Sequence, residues 1–501
     1  MRRLVVMLVA SLAWLPARAG AQPASTPELD DGAPRRAIAP ITPEPERSEP
    51  PPGHDPLRAA IENLAFLAGG TAWYLIDDRN VLDWDLESLE QRFDEASYRF
   101  DNNHFPMNFL AHPLSGAAFY GVPRSNGLSM PLSAIYGIVT SFLWEFVIEF
   151  KERFSINDSI TTPIGGIAIG EVFHRLSRLL DEEAHPVLAW IFGTSVALHE
   201  AQDGPAVGRE TPRVGPPSMW HDIRLAYGFG WATGDGFDFD LHDVSAEARF
   251  VAIPGHGRAG QRAGGFVDAE VASMRLDGFF SSTGTGFQLL ADTTLMGVYV
   301  EDFRDAPDGS RSGGSVILGT SVSQLYRKER YDSWRDRIAF TGFPGLAIDA
   351  EERAGLLEVR FSGRLHGGFG GVHAPGLGQW QRDNAAAPKT ILTNHGYYFG
   401  WGWSGRLELE LRAHVVTVGG SLAYVSLGSQ EGLARRQDLV VDDVHGHDEL
   451  LELATWARVS GLPLGLFLEA SFRAQIRDSS LGDVQMTRSI HRYQLALGFM
   501  L

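Results

Sequence analysis

Alternation in steps of two is the feature that most restricts this chain. In "LFLEASFRAQIR" (466–477), Leu466, Leu468, Ala470, Phe472, Ala474 and Ile476 alternate with Phe467, Glu469, Ser471, Arg473, Gln475 and Arg477. A strand sends successive side chains to opposite faces, so one face here is apolar and the other largely charged. "LELEL" (407–411) and "LLELATWARV" (450–459) repeat the dyad. The second half can be laid out as strands at 220–231, 239–252, 265–279, 285–303, 312–328, 336–350, 354–370, 394–411, 414–428, 447–460, 464–478 and 486–500. Strands of about 15 residues are longer than a soluble sandwich needs. They suit an antiparallel transmembrane β-barrel of about 12 strands, apolar outside and polar within.

Loop lengths agree in part, with the connections at 253–264 and 304–311 breaking the pattern, and the terminus agrees. The two longest connections, 371–393 and 429–446, fall at one end if the first strand runs outward, and the short 351–353, 412–413 and 461–463 fall at the other. Tyr397, Tyr398, Phe399, Trp401 and Trp403 cluster as an interfacial girdle would. The chain closes on "YQLALGFML", with Tyr493, Leu495, Leu497, Phe499 and Leu501 on one face. This resembles the terminal signal of outer-membrane barrels, with Leu where Phe or Trp is usual.

The first half is organised differently. Residues 1–21 read as a signal peptide, with Arg2 and Arg3 before "LVVMLVASLAWL" and small-residue cleavage sites after it. Residues 22–55 are a Pro- and charge-rich disordered linker. A helical domain then occupies 56–202, followed by a linker at 203–218 and the barrel at 219–501. Proline suits a helix's first turn, so Pro56, Pro113, Pro131, Pro163 and Pro186 predict helices over 56–78, 113–121, 131–152, 163–181 and 186–201. Asp55 and Thr162 are candidate caps. The uncharged run 130–144 falls short of the roughly 20 residues a membrane span needs. The fold expected is therefore α + β multidomain, an all-α periplasmic domain followed by the barrel.

Polar residues sit within these apolar helices. "MNFLAHPLSGAAFYGVPRSNG" (107–127) carries Asn108, His112, Tyr120 and Arg124. Pro113 as the helix start puts His112 at its entrance. "SFLWEFVIEF" carries Ser141, Glu145 and Glu149, the two carboxylates one turn apart on one face. Asp158 and Glu171 follow. If buried, such carboxylates need a base, a metal or a shared proton.

These residues resemble the bacterial domain of unknown function 3943 over about 102–171. The matching elements are "NFLAHPLSGAAFY", "SFLWEFVIE" and "SINDSITTPIGGIAIGE", with spaced His-Pro, Glu-x-x-x-Glu and Thr-Pro-x-Gly. Many relatives carry two tyrosines where Phe119 and Tyr120 stand here. The resemblance implies an envelope location and singles out these polar positions; it implies no activity, cofactor or substrate.

No P-loop, dinucleotide fingerprint, G-x-S-x-G or H-E-x-x-H occurs. A net charge of −19 argues against nucleic acid. Without cysteine, a metal site would need His and carboxylates; "VHGHDE" (444–449), with His445, His447 and Asp448, is one weak cation candidate, and no metal or cofactor is otherwise called for. The expected protein is an outer-membrane barrel anchor with a periplasmic helical domain. It would serve envelope organisation or transport without catalysis, with outer-membrane lipid and envelope proteins as partners. The alternative is an envelope hydrolase or transferase acting on lipid or peptidoglycan. It would use His112, Arg124, Glu145, Glu149, Asp158 and Glu171, with Asn108, Tyr120 and Ser141 binding. Oligomeric state leaves no trace in the sequence.

Overall fold

The computed structural model describes residues 55–77, 90, 98–149 except 102, 154–203 except 184, and 219–501 except 236, 254, 258–261, 307–309, 332–334, 374, 385–389 and 431–444. The expected signal peptide and nearly all of both expected linkers lie outside the described residues.

Twelve long strands form the second half: β1 (Trp220–Gly234), β2 (Phe237–Val251), β3 (Arg262–Phe280), β4 (Gly284–Asp302), β5 (Arg311–Tyr331), β6 (Arg335–Gly355), β7 (Leu357–His373), β8 (Tyr397–Ala413), β9 (Val416–Ser429), β10 (Gly446–Val459), β11 (Leu466–Leu481) and β12 (Val484–Met500). Each pairs antiparallel with its chain neighbour, and β12 returns to β1 (Leu497 opposite Tyr227), so the sheet closes on itself. The start of β1 and the end of β12 share one rim, Met500 facing Arg224. The long connections 374–396 and 430–445 leave the other rim, the former carrying short helices Leu377–Asp383 and Ile391–His395. Asp448 does not stand in a loop. It is fully buried within β10, bonded to Arg477 at 2.7 Å, while His447 pairs with Glu449 at 3.3 Å. The dispersal removes the loop cation site; residue 444 is outside the described residues.

The inward face is filled with charge that meets across the barrel. Arg360 on β7 reaches Asp222 on β1 at 3.6 Å, half the ring away. Arg224 on β1 reaches Glu410 on β8 at 3.8 Å, and Arg492 on β12 reaches Glu329 on β5 at 2.8 Å. Arg327 on β5 joins Glu452 on β10 at 3.3 Å, Arg406 on β8 joins Asp292 on β4 at 2.5 Å, and Arg249 on β2 joins Asp349 on β6 at 3.0 Å. Two side chains in contact from opposite walls leave no wide channel between them. A lumen cavity of about 140 Å³ remains, lined by Glu247, Asp292, Arg327, Arg364 and Arg406 among others.

The outward face is apolar. Leu225, Tyr227, Phe229 and Trp231 on β1, Leu407, Leu409 and Leu411 on β8, and Leu495, Leu497 and Phe499 on β12 are all exposed. Of the expected girdle, Trp401 and Trp403 are exposed outward. Tyr397 and Phe399 share their parity but are covered, and Tyr398 points inward against Val372 and Leu427.

What covers them is the helical half: α1 (Pro56–Asp77), α2 (His112–Ser125), α3 (Met130–Leu143), α4 (Ile156–Glu182), α5 (Pro186–Phe192) and α6 (Val196–Asp203). Two helices start earlier than their prolines predict. A π-turn, Met107–Ala111, runs directly into α2, so His112 lies on a continuous helical run. Ser155 caps α4 by accepting from the Asp158 N–H, which starts it well before Pro163. Likewise α3 continues through a second π-turn, Trp144–Ile148. The resulting 19-residue helix is long and apolar enough to cross a membrane, beyond the uncharged run visible in sequence.

The helices rest on the outer wall of the barrel. Ile167, Ala168, Ile169 and Val172 of α4 share one core with the outward Ala248, Phe250, Ala272, Met274, Leu289, Ala291, Val322 and Ala339. Ala248, Ala272, Ala291 and Ala339 alternate with these larger side chains and make room for the helix. Polar bonds pin it: Thr293 Oγ1 donates to the Ala168 carbonyl at 3.2 Å, and the Gln324 amide donates to the Phe109 carbonyl at 3.2 Å. Thr341 Oγ1 donates in turn to Gln324 Oε1 at 2.7 Å.

Candidate functional site

The polar residues singled out in sequence separate into two clusters. The first lies where α2 crosses α4. The two backbones touch there: a Cβ on Gly116 would stand 1.8 Å from the Thr162 carbonyl oxygen, and one on Gly166 would stand 2.4 Å from the Gly116 carbonyl carbon. Only glycine permits that approach; the glycine of the Thr-Pro-x-Gly element, Gly165, faces Pro113 instead, where a Cβ would stand 2.8 Å from the Pro113 Cβ. The crossing sets Tyr120 and Arg124 over Glu171. Arg124 donates from Nε and Nη2 to both Glu171 oxygens at 2.9 Å, Arg175 adds a contact at 2.8 Å, and the Tyr120 hydroxyl also donates to Glu171. Arg124 Nη1 closes on the Leu128 carbonyl at 2.7 Å. Glu171 is 0% exposed and its oxygens are saturated with donors. A sealed, bidentate, charge-assisted network of this kind orients helices; it leaves no lone pair for a substrate.

The second cluster lies where the chain enters α2 and α4. Tyr98–Arg99 pairs in parallel with Phe154–Ser155, which delivers Asp101 to the start of α4. The Asp101 N–H donates to Asn157 Oδ1 at 2.7 Å, and Asn157 Nδ2 donates to Asp158 Oδ1 at 2.7 Å. His112 Nε2 lies 3.6 Å from that same oxygen. Asp101, His112 and Asp158 each offer a ligand atom within 4.8 Å of the others. Glu145 accepts from the Ser155 N–H at 3.4 Å and lies in the field of Asp158, Glu149 and Asp101. Asn108 Nδ2 donates to the Tyr397 hydroxyl at 3.0 Å, and that hydroxyl donates to the Asn103 carbonyl at 2.6 Å, tying the cluster to β8.

Thus His112, Glu145, Asp158 and Asn108 converge, Tyr120, Arg124 and Glu171 converge elsewhere, and the two remaining positions join neither. Glu149 accepts from Trp144 Nε1 at 2.7 Å. The second π-turn ends there, with the Glu149 N–H bonded five residues back to the Trp144 carbonyl, and the Glu149 charge still reaches Glu145. Ser141 is simply buried in α3. Sequence reasoning missed Asp101, Asn157, Arg175 and Tyr397. Asn157 and Arg175 carried a local signal, as a polar residue beside the α4 cap and as a cation one turn beyond Glu171; Tyr397 carried none.

Residues 97–198 match the family described as a domain of unknown function, DUF3943, a span that holds both clusters apart from Tyr397. No curated protein matches the chain. Among solved structures, the translocator domain of the autotransporter NalP from Neisseria meningitidis is 11% identical, with 61% of this chain and 97% of that chain covered at a TM-score of 0.19. An anion-selective porin from Comamonas acidovorans is 10% identical (57% and 99% covered, TM-score 0.21). In-vitro folded OmpT of Vibrio cholerae is 6% identical (58% and 100% covered, TM-score 0.20). The barrel itself rests on this chain's own strand pairing.

Proposed function

We propose that the protein is an outer-membrane scaffold: a sealed barrel that holds a helical layer against its wall, within the plane of the membrane. The observation that carries this is the seat of α4. Thr293, which bonds the Ala168 carbonyl, is the midpoint of β4, so the helix lies at mid-depth on the face that elsewhere meets lipid. The outer surface of the layer suits the same solvent. Leu132, Ile135, Ile138, Val139 and Phe142 of α3, and Val187, Leu188 and Ile191 of α5, are exposed. Exposed apolar side chains in such number are costly against water and favourable against acyl chains.

A periplasmic domain hung below the barrel mouth, as expected from the sequence, would leave the small-residue seat on β2–β6 without purpose. The lumen ion pairs weigh against bulk solute transport, and the saturated Arg124–Glu171 network weighs against catalysis at that cluster. Envelope organisation, with lipid as the immediate partner, fits best. A photoactivatable phospholipid in the reconstituted protein tests it. Cross-links are expected within 130–148 as well as in uncovered strands such as β1 and β12; cross-links confined to the strands would contradict the reading.

A further inference from the structure

The geometry points to a divalent transition-metal site at the entrance to α2 and α4, with His112 Nε2 and one carboxylate oxygen each from Asp101 and Asp158 as ligands.

Distance is the first argument. His112 Nε2 is shielded from solvent and makes no hydrogen bond, although Asp158 Oδ1 is only 3.6 Å away. That separation is too long for a hydrogen bond. It is close to the roughly 3.4 Å that separates two ligands of a tetrahedral ion with bonds of about 2.1 Å. Asp101 completes a triangle within 4.8 Å, so all three atoms can face one centre.

A second observation is independent of the triad. Asn108 is fully buried, and its Oδ1 has no hydrogen-bond partner. It stands about one turn before His112 on the same helical run. Its Nδ2 is anchored by the Tyr397 hydroxyl, which lies in the field of Asp101 and Asp158. A neutral oxygen donor without a partner is thus anchored to a hydroxyl that the acidic pair reaches.

Charge and donor type select the ion. Two aspartates in a poorly hydrated site repel each other, and a dication balances them. One imidazole nitrogen with carboxylate oxygens favours Zn²⁺ or Mn²⁺ over Ca²⁺ or Mg²⁺, which prefer all-oxygen shells. Asn157 supplies the supporting shell, accepting from the Asp101 N–H and donating to Asp158 at 2.7 Å each. The ion would tie three segments of the helical layer together. This holds whether or not that layer lies in lipid.

The full-length protein in detergent, stripped with a chelator, is titrated with Co²⁺ as a spectroscopic stand-in for Zn²⁺. One equivalent with visible absorption bands is expected, displaced by Zn²⁺. His112→Ala and Asp158→Asn should each weaken binding by about 100-fold or more, while His199→Ala, on α6 and paired with Glu62, leaves it unchanged. Protection of residues 98–203 from limited proteolysis checks that the helical layer of the variants folds. Should they not, X-ray absorption of the Zn²⁺-loaded wild type decides: one nitrogen among oxygens is expected. No stoichiometric binding by the wild type, equal binding by folded variants, or an all-oxygen shell would each overturn the site.

Discussion

The side-chain amide of Gln324, on the outward face of β5, donates to the backbone carbonyl of Phe109 at 3.2 Å. A glutamine on that parity is anomalous for a lipid-facing strand, and here it faces a helix. The bond joins residues far apart in the chain and marks where the barrel wall stops meeting lipid.

Replacing Gln324 with Leu should leave the Phe109 carbonyl and Thr341 hydroxyl without this partner. A loss of about 1–3 kcal/mol in helix docking is expected. Limited proteolysis reads it: cleavage between residues 98 and 203 should accelerate while the heat shift of the barrel stays unchanged. Equal protection of both proteins would remove the bond from the docking account.

Arg124→Ala should be the more damaging change, at about 3–5 kcal/mol, because it strips a buried carboxylate of its bidentate partner and leaves only Arg175 and the Tyr120 hydroxyl to hold it. Arg124→Lys should recover only part, since an ammonium cannot span both Glu171 oxygens. Thermal unfolding of the helical signal by circular dichroism ranks the three proteins. A Lys variant as stable as wild type would show that charge alone suffices.

The lumen makes a separate claim. Wild-type protein in a planar bilayer should show no porin-sized conductance steps, because Arg327, Arg406 and Arg360 reach carboxylates on distant strands. The double variant Arg327→Ala with Arg406→Ala should show steps. Large steps from wild type would mean that these ion pairs do not close the barrel.

Much of the barrel was legible because period two is written in every strand: "LFLEASFRAQIR" predicts both its faces, and all twelve expected strands overlap observed ones. The covered wall was legible too, though only with hindsight about parity. Thr293, Gln324 and Thr341 interrupt the apolar face where α4 and the Phe109 turn lie. Prolines misled at Pro113 and Pro163, since a serine cap and a π-turn started those helices earlier than the proline rule allows. The candidate site was half visible. His112, Glu145 and Asp158 stand out as polar residues in apolar runs, but Asp101 arrives through a two-residue strand pair and Tyr397 from the barrel. Neither contact has a local signature, because both depend on how the helical layer docks.

The central claim is that this layer lies in the membrane beside the barrel, and Val139 tests it most directly. Val139 is 50% exposed on α3; α3 packs through Gly137 on Tyr120, which bonds Glu171, three residues along α4 from the mid-depth Ala168. The chain has no cysteine, so Val139→Cys can carry a single nitroxide in reconstituted protein. Its collision rates with oxygen and with a water-soluble nickel complex give its surroundings. The account predicts high oxygen and low nickel access, matching a nitroxide at Leu497→Cys on the lipid-facing wall; nickel access typical of a water-exposed helix would contradict it.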